Sequence, residues 1–330
     1  MQNVAVSLRS RMDVSQFCSS TRLLIVAGKG GVGKTTVTAA IASMAATQGL
    51  SSLIVEVEGK SGVGAMFGHG DPLTYEEVVL ADRRGPSGAG QVRARALTPD
   101  DALVEYLYDH GMGRVSRRLA SSGALDVVAT AVPGIKDILV LGKVKQLEKE
   151  GPVDLVVLDA PAAGHAVTFL TSARALADAA RTGPIRAQAE AVVELLSDER
   201  RCQVILVTLP EETPVNEVVE TAYRLEDTVG IKLGPLVVNG VYPRLDGLED
   251  DPDSVADRAG VALRSDQAAD LRSAADFRRR RQDLQRHQLE RLAERLPLDR
   301  VELPFLFTAE IGPAEIDLLT GALVGGLRAL

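Results

Sequence analysis

Arg22-Leu-Leu-Ile-Val-Ala27 runs directly into Gly28-Lys-Gly-Gly-Val-Gly-Lys-Thr35. The reading of this junction decides the fold. A short apolar run ending in glycine reads as a strand buried on both faces of a parallel sheet. The glycine-rich stretch satisfies G-x-x-x-x-G-K-[ST], and the Ala-rich segment Lys34–Gln48 after it reads as a helix. Glycines at 28, 30, 31 and 33 let the backbone fold around a phosphate with its N–H groups inward, and the helix adds its positive N-terminus. The motif then assigns roles: the Lys34 ammonium to the β and γ phosphates, the Thr35 hydroxyl to Mg²⁺, and Thr36 to the α phosphate. Ser51-Ser-Leu-Ile-Val-Glu-Val57 reads as a second strand, so residues 22–57 form a βαβ unit.

Further apolar, strand-like runs follow at Val153–Leu158, Val204–Leu209, Leu236–Val238 and Val301–Leu303, separated by helical patterns. This alternation predicts an α/β fold: a mostly parallel P-loop sheet covered by helices on both faces. Residues 71–150 differ in character. Gly85–Gly90 reads as a flexible loop, and Val92–Leu97, alternating with arginines, as an edge strand. Thr98-Pro-Asp-Asp101 supplies a capping hydroxyl, a proline at the first helical position and early carboxylates, so a helix starts there. Pro133–Leu147 reads as a helix that is apolar around much of its girth, and 184–197 as another. Residues 71–150 and 181–199 are therefore expected to form a helical subdomain inserted into a single domain spanning 21–330. Residues 267–296 read as a polar, Arg-rich helix whose Arg278–Arg281 run faces solvent, and residues 1–20 as a loose N-terminal arm.

Composition narrows the function classes. The 330 residues carry a net charge of −8 and only 3% aromatic residues. That argues against nucleic acid as a partner, which wants a concentrated positive surface or stacking platforms. Cys18 and Cys202 are far apart and form no CxxC metal site, and His69, His110, His165 and His287 have no zinc spacing. No uncharged apolar run approaches the roughly 18 residues of a membrane span, and the first twenty residues lack the apolar stretch of a signal peptide. The expectation is a cytoplasmic protein with no integral membrane segment.

Lys29 adds a second lysine to the phosphate loop. In this respect the sequence resembles the deviant Walker A family, which includes the arsenite-pump ATPase, the tail-anchored-protein targeting ATPase, the chromosome-partition and septum-site ATPases and the nitrogenase iron protein. There the extra lysine reaches into a neighbouring subunit's nucleotide. Asp159-Ala-Pro-Ala-Ala-Gly-His165 resembles the switch II sequence of the arsenite-pump and tail-anchored-targeting branch. The resemblance implies that Asp159 holds a Mg²⁺-bound water and that Gly164 lets the loop approach the γ phosphate. It places Asn239, after Val237-Val238, on adenine, and passes the backbone of Pro304-Phe305-Leu306 over the base. Pro133-Gly-Ile-Lys-Asp137 resembles a motif of that branch's helical subdomain.

Departures are equally specific. In the aligned run Glu56-Val-Glu58-Gly-Lys-Ser61, Glu58 stands where the branch has the aspartate that orients the attacking water, and the following proline is missing. The arsenite-binding cysteines and the zinc-clamping CxxC have no counterparts. The resemblance implies Mg-ATP as ligand and Lys29, Lys34, Glu58 and Asp159 as catalytic residues. It implies Gly30, Gly31, Val32, Gly33, Lys34, Thr35, Thr36, Gly164, Asn239, Pro304 and Phe305 as nucleotide contacts, and Thr35 and Asp159 as the metal site. It further implies a slow ATPase working as a nucleotide-switched dimer whose helical part meets a partner, with a hydrophobic protein client among the candidates. The alternative is a weakly hydrolysing regulatory or scaffold subunit, in a heterodimer with a related ATPase.

Overall fold

A computed structural model describes residues 13–57, 62–109, 134–161 and 163–330. Its centre is strand β1 (Leu23–Gly28), all six of whose residues are buried. On one side β1 pairs in parallel with β5 (Leu155–Asp159), and on the other with β6 (Cys202–Thr208). With β2 (Ser51–Val57), β3 (Val78–Gly85), β4 (Gly88–Leu97), β7 (Leu236–Val241) and β8 (Arg300–Pro304) the sheet has eight strands, in the order β3-β4-β2-β5-β1-β6-β7-β8. Among the described residues only the β3–β4 pairing is antiparallel. The expected α/β architecture with a mostly parallel sheet is what the chain adopts.

Alternate residues of the central strands feed two cores. Leu24, Val26, Ile54, Val157 and Ile205 lie on the face covered by α2 (Lys34–Thr47) and α11 (Pro313–Ala329), with Ala40, Met44, Leu319 and Leu323 from the two helices. Leu23, Ile25, Leu53, Val55, Val156 and Leu158 face the opposite layer. That layer comprises α5 (Ile135–Glu150), α6 (Ala163–Ala179), α7 (Pro184–Ser197) and α8 (Glu212–Val229), contributing Leu141, Leu170, Val192 and Val218 among others. Helix α4 (Pro99–Asp109) packs on α5, and the 31-residue α10 (Ser265–Arg295) packs on α8 and on α9 (Pro252–Ala259). The short α3 (Val63–Met66) follows β2. Among the described residues no helix is long and apolar enough to cross a membrane.

Four expectations need correcting. Part of the arm is not loose: Val14–Ser19 form α1, capped by the Asp13 side chain on Ser15 N–H, with Val14, Phe17 and Cys18 buried in the α2 core. Six residues offered too little periodicity to show this. Residues 1–12 lie outside the described residues. The stretch 71–150 is not purely helical, because it opens with the β3–β4 hairpin of the main sheet. Gly85–Gly90 is the tip of that hairpin, and glycine is needed there because the backbone passes hard against the end of α2. A Cβ on Gly85 would stand 1.8 Å from the Thr47 carbonyl oxygen, and one on Gly90 2.4 Å from that of Ala46. Val92–Leu97, expected at the edge, lies inside the sheet because β3 returns antiparallel along its outer side.

The apolar girth of α5 is likewise core: Ile135, Ile138, Leu139, Val140, Leu141, Val144 and Leu147 are all buried. Pro133 and the rest of 110–133 lie outside the described residues. The two cysteines are buried free thiols; burial, with Asp13 nearby, pushes the Cys18 thiol up to about 12, and burial pushes Cys202 higher still.

The α1 correction is testable. Phe17 is 8% exposed against the α2 core, so Phe17→Ala is expected to lower stability by about 3–5 kcal/mol. Denaturant unfolding measures this, and an unchanged midpoint would show that α1 does not belong to the core.

Candidate nucleotide-binding site

The loop between β1 and α2 is built by a few enforced contacts. Gly33 caps α2 in the left-handed region, at φ +88°. A Cβ at Gly33 would also meet the Asn239 amide nitrogen at 2.3 Å, so glycine is required twice over. The Asn239 Nδ2 donates to the Val32 carbonyl at 3.0 Å, fastening the end of β7 to the loop. Val32 itself is buried in the α2 core, while Gly30 and Gly31 are exposed and Thr36 is half-buried. The loop is thus anchored by an apolar side chain beneath and open above. Lys34 is 7% exposed, and its Nζ donates to the Lys29 carbonyl at 3.0 Å.

Asp159 ends β5 directly beside this loop, in register with Val26 of β1, and is fully buried. The Thr35 hydroxyl donates to Asp159 Oδ2 at 2.7 Å. Two residues 124 positions apart, chosen from separate motifs, therefore meet at the N-terminus of α2. Gly164 falls in the first turn of α6. Glu58 lies outside the described residues.

A third acidic group was missed from the sequence. Glu56 is the direct partner of Asp159 across the β2–β5 pairing and is 1% exposed. Its Oε1 accepts a hydrogen bond from the Val63 N–H, at the start of α3, at 3.1 Å. The available signal was a lone carboxylate within the apolar run Leu53–Val57, which is costly to bury unless something holds it.

Asn239, Pro304 and Phe305 converge at the ends of β7 and β8, where the Phe305 N–H donates to the Val241 carbonyl at 2.8 Å. Around them stands a cluster that sequence reading did not anticipate. Tyr242, Phe305 and Phe307 have ring centroids 4.8–5.5 Å apart. The Arg278 guanidinium lies 4.7 Å from the Tyr242 ring centre and 4.8 Å from that of Phe307. Buried Gln285 pins the end of β7, donating to the Gly240 carbonyl at 3.0 Å and accepting from the Tyr242 N–H at 2.8 Å. The arginine run of α10 is thus only partly a solvated face: Arg278 stacks, and Arg281 pairs with Glu211. Lys29 points away from its own loop, to Glu217 of α8 at 2.7 Å.

The CobQ/CobB/MinD/ParA nucleotide binding domain model matches residues 23–251 of the chain, which takes in β1, the loop, Asp159 and Asn239. The chain belongs to this family. Among similar proteins, ATPase BagA of Mycobacterium tuberculosis is 40% identical over 236 residues, covering 68% of this chain and 66% of the relative. Arsenical pump-driving ATPases of Escherichia coli and Acidiphilium multivorum are 28% and 29% identical, each over 247 residues, 69% of this chain and 40% of the relative. The matched stretch therefore spans just under two thirds of the first of these proteins and well under half of the other two. Family membership makes the chain a nucleotide-binding P-loop protein.

The site fits a magnesium nucleotide on its own terms. A hydroxyl and a buried carboxylate meet at a helix N-terminus beside a glycine loop that a Cβ would obstruct. These are the hard oxygen donors that Mg²⁺ prefers, next to backbone N–H groups suited to phosphate.

The Glu56 contact yields an expectation. Glu56→Ala leaves the Val63 N–H without its acceptor and is expected to cost about 1–3 kcal/mol. Glu56→Gln keeps an acceptor and is expected to lose less. Thermal unfolding of the two variants ranks them, and equal losses would show that the backbone hydrogen bond is not what Glu56 supplies.

Proposed function

We propose that the protein is a Mg-ATP-binding, nucleotide-switched ATPase that works as a dimer. The observation that carries this reading is the Thr35–Asp159 hydrogen bond at the mouth of a glycine-capped phosphate loop. In this reading the backbone N–H groups of Gly30 to Thr36 cradle the phosphates, and the Lys34 ammonium leaves the Lys29 carbonyl to neutralise them. Thr35 and Asp159 hold the magnesium ion, which when bound supplies charge neutralisation at the phosphates. Asn239 and the Pro304-Phe305 backbone take the base, and Gly164 allows the start of α6 to approach the γ phosphate. Lys29 completes the site of the neighbouring subunit. Phosphoryl transfer depends chiefly on such positioning, and Glu58 is assigned to orient the attacking water.

Partner contact is assigned to the helices within 71–150 and 181–199. With the apolar side of α5 buried, support for this comes from the exposed Tyr108 of α4 and Ile185 of α7. The reading is supported by two relatives named arsenical pump-driving ATPases, proteins whose name pairs the ATPase with a pump. A second reading has one specific observation behind it: Glu58 replaces the shorter aspartate and the neighbouring proline is absent. That combination fits a slowly hydrolysing subunit that regulates or scaffolds a related ATPase in a heterodimer.

Three variants test these assignments. Lys34→Ala is expected to weaken ATP binding on the order of a hundredfold by calorimetry, since a charge-assisted contact to phosphate is removed. Near wild-type affinity would refute the loop assignment. Lys29→Ala is expected to bind ATP as a monomer yet lose ATP-dependent association or turnover. Glu58→Gln is expected to slow single-turnover hydrolysis while binding survives. Equal rates for wild type and Glu58→Gln, alone and with a native partner, favour the regulatory subunit.

A further inference from the structure

Lys29 is held within its own chain. Its Nζ donates to Glu217 Oε1 at 2.7 Å, between groups that are 36% and 39% exposed. The contact follows from the topology. β6 runs beside β1, with Val207 opposite Gly28, so the chain leaving β6 enters α8 alongside the phosphate loop. Pro214, Val215, Val218, Val219 and Ala222 of α8 are buried. That packing presents Glu217 toward Lys29. Two other polar groups at this end of α8 have different partners: Glu211 pairs with Arg281, and Asn216 accepts from Arg291 and Arg295.

We propose that Glu217 is an autoinhibitory counter-ion, which holds Lys29 in cis and must release it before the lysine can serve a neighbouring subunit. The inference rests on the assignment of Lys29 to the partner's nucleotide. A lysine cannot donate along α8 and reach across an interface at once, so the ion pair opposes association by its own strength. Neither group is deeply buried, so that strength is modest, equivalent to about twofold to fivefold in affinity for each Lys29 released. A latch of this size leaves assembly possible while making it depend on the nucleotide, whose phosphates offer the ammonium a better acceptor. The ATP affinity of the isolated monomer is untouched, because Glu217 does not belong to the phosphate site.

The test compares wild type, Glu217→Gln and Glu220→Gln by sedimentation velocity, with Mg²⁺ and a non-hydrolysable ATP analogue. Glu220→Gln removes the same charge from the same helix one turn on, outside the Lys29 pair. Amine labelling of Lys29 in the nucleotide-free monomer, read by mass spectrometry, reports release of the latch directly. Glu217→Gln is expected to raise Lys29 labelling and to tighten association about twofold to fivefold per subunit, with Glu220→Gln behaving like wild type. Unchanged or weaker association in Glu217→Gln overturns the latch while leaving the dimeric reading in place. An equal gain in both variants also overturns it, since general charge would then be the cause. If wild type and Glu217→Gln both fail to associate with the analogue, the trans role of Lys29 falls and the latch with it.

Discussion

The hydrogen bond from Thr35 to Asp159 is the contact on which the organisation of this molecule turns. It joins the first turn of α2 to the last residue of β5, and so fixes the phosphate loop against the neighbouring strand. A carboxylate with no exposed surface is expensive to keep in a protein interior. It is tolerable here because a hydroxyl, and in the proposed function a cation, lies against it. The neighbouring strand repeats the theme with buried Glu56, which holds the N-terminus of α3.

Everything around that contact serves to hold it still. β1 sits between β5 and β6 at the middle of eight strands, buried along its whole length. Val32 and the Asn239 amide anchor the loop from below and from the side. α10 reaches back to fix the ends of β7 and β8 through Gln285 and the stacked Arg278. The described part of the phosphate loop is therefore anchored by contacts within one chain. Lys29 is the exception, since it is tethered to α8 rather than to the loop it belongs to.

Much of this was legible in the sequence because the chemistry is local. Gly28–Thr35 specify their own backbone shape, and an apolar strand before them with an Ala-rich helix after them leaves little choice of fold. Asp159, at the end of β5, and Asn239, just past the apolar run Leu236–Val238, were singled out by resemblance, and the structure sets both against the phosphate loop. What escaped depends on contacts between distant segments. Gly85 and Gly90 look like flexible-loop glycines until the end of α2 is seen pressed against them. α1 is a single short helix whose Phe17 matters only because it enters the α2 core. Glu56 was passed over as part of a strand, and Glu217 as one carboxylate among many on a helix. Their significance comes from Val63 and Lys29, each contributed by another segment. The apolar circumference of α5, ambiguous as a pattern between surface and core, is core because sheet and helices enclose it.

In the proposed function Asp159 is the seat of magnesium sensitivity, and one measurement addresses that most directly. ATP affinity is measured by calorimetry with and without Mg²⁺, for wild type and Asp159→Asn. The asparagine can still accept from Thr35 but carries no charge. Wild type should bind ATP more tightly with Mg²⁺, whereas Asp159→Asn should keep the metal-free affinity and lose most of the gain. The same gain with Mg²⁺ in both proteins would contradict the account.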